Sequence, residues 1–316
     1  MILGLDIGGA NTKAGSADGS FAKSVYLPLW KEAPLIEVLR EISGEKPAAL
    51  GVVITGELAD CYKSKLEGIE SIMGAVRVAF TCPISFWGFK GFQPGNLMEL
   101  AAANWSASAS LIAQDIGDCL FVDMGSTTTD LIPIKGKALA AASDYGRLRN
   151  GELVYTGILR TSLGALMPSS RIDGADVPTS PELFAITADA YLALGEISGD
   201  QYACDAPDGA GKDHLSAKRR LARLVCADLE ELGEAGAMAI AEQVRERQLD
   251  LLVRAIYRQS EVHGLEQVAA AGIGEKIIAH ACDLLGLQCI RLSEKYGKRI
   301  SDIFPAYAVA RLLADQ

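Results

Sequence analysis

The sequence predicts an α/β protein of two domains with an anion-binding cleft between them. The chain has 316 residues, which is long enough for two hydrophobic cores. Short continuous apolar runs predict buried strands, and segments with helical spacing of apolar residues lie between them. A pattern of strand, aspartate, glycine-rich turn and strand occurs at the N-terminus and again from residue 119. This short internal repeat indicates a duplicated domain.

The first half of the chain contains the first copy of the pattern. Strands are predicted over residues 2–7, 12–17, 25–29 and 48–55. The last of these runs is apolar throughout, which is typical of a buried parallel strand. Helices are predicted over residues 31–42 and 97–114. We expect residues 1–117 to form domain I, completed by a C-terminal segment, residues 303–316, that contains a closing helix at 304–314.

The second half begins with the second copy and is richer in helices. Strands are predicted over residues 119–124, 129–134, 268–271 and 289–292. Helices are predicted over residues 180–194, 215–227 and 275–285, with one or two long helices over 230–260. Residues 199–211 are rich in glycine, aspartate and proline and are expected to form a loop. We expect residues 118–302 to form domain II, with a helical insertion.

The first glycine turn is the segment 6–13, with the sequence DIGGANTK. Gly8 and Gly9 leave backbone N–H groups unshielded toward an incoming anion, and Thr12 can donate its hydroxyl. Asp6 lies at the strand end, where its carboxylate can hold a hydrated Mg²⁺. The alternative is an ordinary hairpin turn with a charged rim.

The second glycine turn is the segment 123–130, with the sequence DMGSTTTD. Four consecutive hydroxyl residues lie between two aspartates, which is more than a turn requires. This pattern favours an anion site, although serine and threonine also occur as turn formers and strand residues.

A third glycine turn, the segment 269–275 with the sequence AAAGIGE, follows a predicted strand and opens a predicted helix. A helix N-terminus favours anions. A single G-x-G is more often a tight packing turn, so this motif gains its significance from the other two.

The order and separation of the three turns resemble the superfamily of actin, sugar kinases and heat-shock chaperones. In that superfamily two ribonuclease H-like (actin-like ATPase) domains enclose a central cleft, and the first two turns clamp a polyphosphate from opposite domains. The resemblance implies a phosphate site formed by Gly8, Gly9, Asn11, Thr12, Lys13, Gly125, Ser126, Thr127 and Thr128, with Gly272 and Gly274 in the third turn. It also implies that Asp6 and Asp123 face a metal ion, expected to be Mg²⁺. ATP is left open as a ligand, because Ala271 and Glu275 depart from the usual nucleotide pattern.

Further sequence segments indicate a particular family within this superfamily. They are TGELAD at 55–60, ANW at 103–105, GRLRNGELVYTGILRT at 146–161 and ELFA at 182–185, followed by Ala188-Asp189 and RRLAR at 219–223. With the two aspartate turns, they resemble the hydantoinase/oxoprolinase-related proteins of the tetrahydromethanopterin-linked one-carbon pathway, from residue 1 to about residue 310. The segment at 146–161 is the most specific.

Members of that group are associated with methanofuran biosynthesis, so the resemblance implies a transferase. The implied reaction joins an (aminomethyl)furan-methanol diphosphate to the phenol of a γ-glutamyltyramine-type acceptor, forming an ether and releasing pyrophosphate. A cleft that holds diphosphate with a metal, N–H groups and hydroxyls would stabilise this leaving group. The phenol, with a reference pKa of about 10, needs a base or a very reactive electrophile.

Glu57 is our first choice for this base, because it follows a strand that should end at the carboxyl edge of a parallel sheet. Capping of the next helix, or exposure to solvent, is the alternative for Glu57. Asp130 is a second choice of base or a further metal ligand. Arg147 and Arg160, like Lys13, are expected to neutralise diphosphate or bind a substrate carboxylate, unless the arginines form solvated surface pairs.

Aromatic residues offer a stacking surface for the substrate rings. Tyr155 and Trp105 can stack on the furan or the phenol, or pack in the core.

The net charge and composition of the chain limit the binding partners that can be expected. A net charge of −10 disfavours nucleic acid and anionic membrane surfaces. The seven cysteines include no C-x-x-C pair and no apolar run reaches the roughly 20 residues of a membrane helix, so we expect a cytoplasmic protein with reduced thiols. The charged stretch at 230–258 is expected to be a solvated helix face, with a homodimer interface as the alternative.

Two other functions remain open at this point. One is an ATP-dependent kinase or a hydantoinase/oxoprolinase-type ATP-hydrolysing enzyme. The other is a nucleotide-gated protein without catalytic activity.

Overall fold

The computed structural model describes residues 1–31 and 33–316. The strands are β1 (Ile2–Gly8), β2 (Asn11–Ser16), β3 (Ala22–Tyr26), β4 (Ala49–Thr55), β5 (Ile84–Phe86), β6 (Cys119–Met124), β7 (Thr129–Lys135), β8 (Lys137–Ala138), β9 (Leu153–Val154), β10 (Ser169–Ile172), β11 (Ala175–Pro178), β12 (Gln267–Ala271) and β13 (Gln288–Arg291). The α-helices are α1 (Leu35–Ser43), α2 (Lys65–Ala79), α3 (Asn104–Asp115), α4 (Asp144–Asn150), α5 (Leu163–Leu166), α6 (Thr187–Ala193), α7 (His214–Arg223), α8 (Leu229–His263), α9 (Glu275–Leu285), α10 (Leu292–Tyr296), α11 (Lys298–Ser301) and α12 (Phe304–Ala314). Short 3₁₀ turns cover Leu29–Lys31 and Leu97–Leu100.

The two main sheets have the same strand order. The first sheet has the order β3-β2-β1-β4-β5, and the second has the order β8-β7-β6-β12-β13. In both, the first three strands along the chain pair antiparallel and the last two add in parallel. Strand β9 pairs with β7 outside this path, and β10 with β11 forms a separate hairpin. The α/β architecture expected from the repeated aspartate turns is confirmed.

Helix α12 returns the end of the chain to the first sheet. A Cβ at Gly4 would lie 1.9 Å from the carbonyl oxygen of Ala306, so only glycine permits the observed approach of β1 to α12. The apolar residues of α12 share one core with α3 and with one face of the second sheet, including Phe121 and Ala269. This core layer joins the two sheets below the cleft. The domain boundaries at 117/118 and 302/303 stay a prediction.

The predicted and observed helix boundaries agree best where the spacing of apolar residues is regular. The predicted helices at 275–285 and 304–314 coincide with α9 and α12. Helix α8 is longer than predicted and is interrupted at Gly233, whose φ of 73° is non-helical. The prediction for 180–194 was too long, since α6 begins only at Thr187, after Ile186 bridges to Ser162. Within the described ranges, no helix is both long and apolar enough to cross a membrane.

Helix α2 was not predicted. Its buried residues Ile69, Ile72, Met73 and Val76 have the helical spacing that would have indicated it. The side chain of Ser64 also caps its N-terminus by accepting from the N–H of Glu67 at 3.2 Å.

Candidate active site

A cleft of about 430 Å³ lies where β1, β4 and β6 end, and both sheets contribute to its walls. Most of the predicted site residues line it. They are Asp6, Gly8, Gly9, Asn11, Lys13, Asp123, Gly125, Ser126, Thr127, Thr128, Asp130, Arg147, Tyr155 and Arg160.

The two glycine turns meet across this cleft. Asn11 Nδ2 donates to Ser126 Oγ at 3.4 Å, which joins the first turn to the second. A Cβ added at Gly9 would meet no described heavy atom within 4 Å, and one at Gly125 would find only the Thr128 carbonyl oxygen, at 3.8 Å. Gly9 and Gly125 therefore present uncrowded backbone, as binding of a polyanion requires.

The second turn is supported from behind by the segment 157–160. The N–H groups of Leu159 and Arg160 donate to the carbonyl oxygen of Ser126 at 3.1 and 2.8 Å. Gly157 packs so closely that a Cβ would lie 2.5 Å from the carbonyl carbon of Ser126. Arg160 Nη1 also donates to Thr127 Oγ1 at 3.2 Å. The segment 157–160 thus fixes the conformation of the turn and places one guanidinium beside its hydroxyls.

Three carboxylates lie in the cleft below the turns. Asp6 is on β1, opposite Lys13 of β2, and it accepts a hydrogen bond from Thr55 Oγ1 at 2.9 Å. Asp123 and Asp130 are cross-strand partners on β6 and β7. The hairpin geometry of each lobe therefore brings its acidic residues to the same end of the sheet.

The pKa values of these carboxyl groups are raised. Burial is the main cause for all three. For Asp123 the pKa rises to about 7, because the charges of Asp130 and Asp6 add to burial while Lys13 opposes them. Lys13 and Thr55 oppose the shift at Asp6, and Arg147 opposes it at Asp130. The cleft holds more negative charge than its cations balance, which favours binding of a metal cation.

Asp6 and Asp123 fit a magnesium ion that arrives with a phosphorylated ligand. The described part of the chain has no group of three or more His, Cys, Asp or Glu side chains arranged to enclose an ion. Mg²⁺ is commonly held by one or two carboxylates together with water and substrate phosphate oxygens. Burial is the main cause of the raised Asp123 pKa, and the repulsion from Asp130 and Asp6 that adds to it is the interaction that such an ion would relieve.

Arg147 lines the cleft with a largely buried side chain, and its guanidinium is already paired. Its Nη1 donates to Asp130 Oδ1, and its Nη2 donates to Asp144 Oδ1 at 2.6 Å. The guanidinium carbon is 5.1 Å from the ring centroid of Trp105, which is buried in the core. Arg147 thus orients Asp130, and the alternative of a solvated surface pair is excluded by its burial.

Four of the predicted catalytic and phosphate-binding residues lie outside the cleft lining, namely Thr12, Glu57, Gly272 and Gly274. Glu57 is buried just after β4, and its Oε2 has no hydrogen-bond partner in the described residues. Burial is the main reason that its pKa is raised, with the charge of Asp144 adding to the effect. Thr12 is fully buried, and its hydroxyl likewise finds no described partner.

Gly272 and Gly274 allow the third turn to pack on Met124. A Cβ at either position would lie 2.5 Å from atoms of the segment 123–124, and Gly274 N–H donates to the Met124 carbonyl oxygen at 3.0 Å. A role of these two glycines in anion binding stays a prediction.

Several lining residues were not predicted from the sequence, and Thr55 and Trp30 are the most informative. Thr55 ends the apolar run beside Asp6, so the rule that parallel strands end at one edge could have found it. Trp30 has no local motif. It enters the cleft from the first lobe, and Arg160 of the second lobe lies over its ring at 4.6 Å from the centroid.

The chain is similar to known proteins both in sequence and in fold. The Hydantoinase/oxoprolinase family model matches residues 49–316. The (4-{4-[2-(gamma-L-glutamylamino)ethyl]phenoxymethyl}furan-2-yl)methanamine synthase of Methanocaldococcus jannaschii is 40% identical over 326 residues, covering 100% of this chain and 98% of that protein. The synthase of the same name from Methanococcus vannielii is 36% identical over 214 residues, covering 66% of this chain and 96% of the relative. These similarities confirm the resemblance indicated by the sequence motifs.

Among solved structures, a ROK family glucokinase from Streptomyces griseus, in complex with glucose and AMPPNP, aligns with a TM-score of 0.52. The alignment covers 100% of this chain and 99% of the glucokinase at 11% identity. At that identity the likeness concerns the fold, and it confirms the predicted pair of ribonuclease H-like domains.

Proposed function

The chain belongs to the hydantoinase/oxoprolinase family, and we propose that it is a transferase of methanofuran-type cofactor biosynthesis. It joins an (aminomethyl)furan-methanol diphosphate to a γ-glutamyltyramine-type phenol, forming an ether and releasing pyrophosphate. The similarity to two synthases whose name describes such an ether supports the reaction class. The structural observation that carries the proposal is the meeting of two glycine turns across one acidic cleft.

The reaction balances without a nucleotide or a redox partner. The phenolic oxygen attacks the methylene carbon of the furan-methanol diphosphate, the carbon–oxygen bond to the diphosphate breaks, and the phenolic proton passes to a base. The turn residues Gly9, Asn11, Ser126, Thr127 and Thr128 line the space where the diphosphate would lie. Their N–H and hydroxyl groups, with Lys13, would stabilise charge on the departing oxygen.

Asp6 and Asp123 would hold Mg²⁺ in this complex. The ion would neutralise charge on the pyrophosphate leaving group. Since the pKa of Asp123 is raised to about 7, the fraction of this carboxyl that is protonated near neutral pH would release its proton when the ion binds.

Asp130 is the base we propose for the phenolic proton. It lines the cleft, whereas Glu57, the other carboxyl considered for this role, does not. Arg147 donates to Asp130 Oδ1 and leaves the second carboxylate oxygen to accept the proton. Arg147 is therefore a positioning residue in this proposal.

The decisive experiment is a reconstituted reaction without ATP. The protein is incubated with the furan-methanol diphosphate, γ-glutamyltyramine and MgCl₂, and the ether and pyrophosphate are measured by mass spectrometry and a coupled assay. We expect both products in equal amounts, and loss of both when Mg²⁺ is chelated. Absence of the ether combined with rapid ATP hydrolysis would contradict the proposal and favour an ATP-hydrolysing enzyme.

A further inference from the structure

Three large hydrophobic side chains line the cleft and are nevertheless exposed. Leu58 is 58% exposed, Leu148 is 46% exposed and Tyr155 is 68% exposed. The carboxylates of the cleft floor are by contrast largely withdrawn from solvent, with Asp6 buried. The cleft thus has a polar floor and a mouth to which three exposed apolar side chains contribute, and a pocket that combines apolar lining with a few polar groups is typical of a ligand site.

The mouth is built by both lobes. Leu58 follows β4 of the first sheet, whereas Leu148 lies in α4 and Tyr155 follows β9, both in the second lobe. None of these positions is needed to fill a core, since each side chain is exposed and lies outside the buried clusters. A fold requirement therefore does not account for them.

The apolar mouth adjoins the carboxylate that we propose as base. Leu153, which also lines the cleft, is the cross-strand partner of Asp130. Leu148 directly follows Arg147, whose guanidinium is bonded to Asp130. Leu148, Tyr155 and Asp130 line the same cleft, so a ring seated between Leu148 and Tyr155 would share that cleft with Asp130.

We propose that Leu58, Leu148 and Tyr155 form the subsite for the aromatic ring of the phenolic acceptor. This inference rests on the proposed function. The donor carries a diphosphate, which the polar floor suits, whereas the acceptor offers a neutral ring and an ethylene chain. At the open end of the cleft, the acceptor's polar glutamyl end can remain in solvent while its ring contacts apolar side chains. The phenol oxygen then points inward, toward Asp130 and the donor.

Steady-state kinetics with both substrates test the assignment. In Leu58→Ala and Leu148→Ala we expect the KM for γ-glutamyltyramine to rise about tenfold, because most of one leucine's contact area is lost. The KM for the furan-methanol diphosphate should stay within about twofold of the wild-type value, since the floor is intact. Leu284→Ala is the matched control, because Leu284 is 61% exposed on α9 and does not line the cleft.

A binding measurement separates this subsite from the reaction itself. Calorimetry compares γ-glutamyltyramine with γ-glutamylbutylamine, which lacks the ring. We expect wild-type protein to prefer the aromatic compound at least about tenfold, and Leu148→Ala to lose most of that preference.

The outcomes are distinguishable. A wild-type protein that forms no ether removes the proposed function. A wild-type protein that forms ether, with unchanged acceptor KM in both leucine variants, overturns the subsite alone. A rise in the diphosphate KM instead would assign the mouth to the furan ring and would also overturn it.

Discussion

The helices of the second lobe and the cleft both hold buried carboxyl groups, but the two regions balance the charge of these groups differently. In the helical region Asp189 is fully buried, and both of its oxygens have partners. Arg220 Nε and Tyr202 OH donate to Oδ1 at 2.7 and 2.9 Å, and the N–H of Ile186 donates to Oδ2 at 3.0 Å. Burial raises the pKa of Asp189, and the charge of Arg220 opposes it.

The carboxylates in the cleft have fewer cationic partners than Asp189 has. Asp6, Asp123 and Asp130 share the positive charge of Lys13, and the charge of Arg147 is divided between Asp130 and Asp144. The helical region has a cation for its carboxylate, whereas the cleft has too few. Burial therefore does not distinguish the cleft acids from Asp189, whereas the deficit of positive charge around them does.

The largest effect should follow from removing a carboxylate in the region that lacks cations. Asp6→Asn or Asp123→Asn should lower the rate of ether formation roughly 10³-fold, about 4 kcal/mol of transition-state stabilisation, because the metal ion loses a ligand. Folding stability should be unchanged or higher, since one of three repelling charges is gone. Rates and urea unfolding are measured together, with Asp176→Asn on exposed β11 as the matched control. A variant that loses stability but keeps its rate would show that the cleft carboxylate serves folding and not the reaction, which would contradict the comparison with Asp189.

The corresponding change among the helices should affect folding. Asp189→Ala leaves Arg220 buried beside Tyr202, and we expect a loss of about 3 kcal/mol in the free energy of unfolding. The loss lies at the lower end for a broken buried pair because Arg220 Nη1 also contacts Asp208, at 3.1 Å. Urea unfolding measures it, and the KM values of the remaining folded enzyme should be close to wild type. A loss below about 1 kcal/mol would mean that the pair of Asp189 with Arg220 stabilises the fold no more than an exposed ion pair does.

Asp123 should also give the cleft a characteristic pH dependence. Its pKa is about 7 in the folded protein against an ordinary value of 3.8, so the folded state binds this proton more tightly than the unfolded state. Stability of the metal-free protein should therefore fall as pH rises from about 4 to about 7, by roughly 1–3 kcal/mol. Asp123→Asn should reduce this slope, and the raised pKa values of Asp6 and Asp130 account for what remains. Urea unfolding in EDTA across that range tests it, and an equal slope in the variant would assign the titration to another group.

Much of the fold was predictable because it depends on local patterns. The runs at 2–7, 48–55 and 119–124 are apolar except near their C-terminal ends, and β1, β4 and β6 form there. The aspartates at the strand ends and the glycines after them indicated the cleft. Helix α2 was not predicted, although the regular spacing of its buried apolar residues is a sufficient signal for a helix.

The parts of the site that escaped prediction depend on contacts between distant segments. The sequence near Arg147 does not reveal its ion pair with Asp130, since that pair requires α4 to lie beside β7, whereas the pair with Asp144 is an i,i+3 pair within α4. Trp30 reaches Arg160 only because the lobes face each other. Whether a carboxyl group lines the cleft or is enclosed beside it, as Glu57 is, is likewise decided by packing.

The smallest effect is expected where a carboxylate is paired but exposed. Asp205 of the second lobe accepts from Lys31 Nζ at 2.7 Å and from Tyr26 OH at 3.0 Å, so it connects the lobes beside the cleft. Both charged side chains are more than half exposed, and water and salt screen their attraction. Asp205→Asn should therefore change the free energy of unfolding by less than about 1 kcal/mol, far below the change for Asp189→Ala. A double-mutant cycle with Lys31→Met measures the coupling, which should shrink in high salt. A coupling as large as that of the buried pair would show that lobe contact, and not burial, sets the strength of these ion pairs.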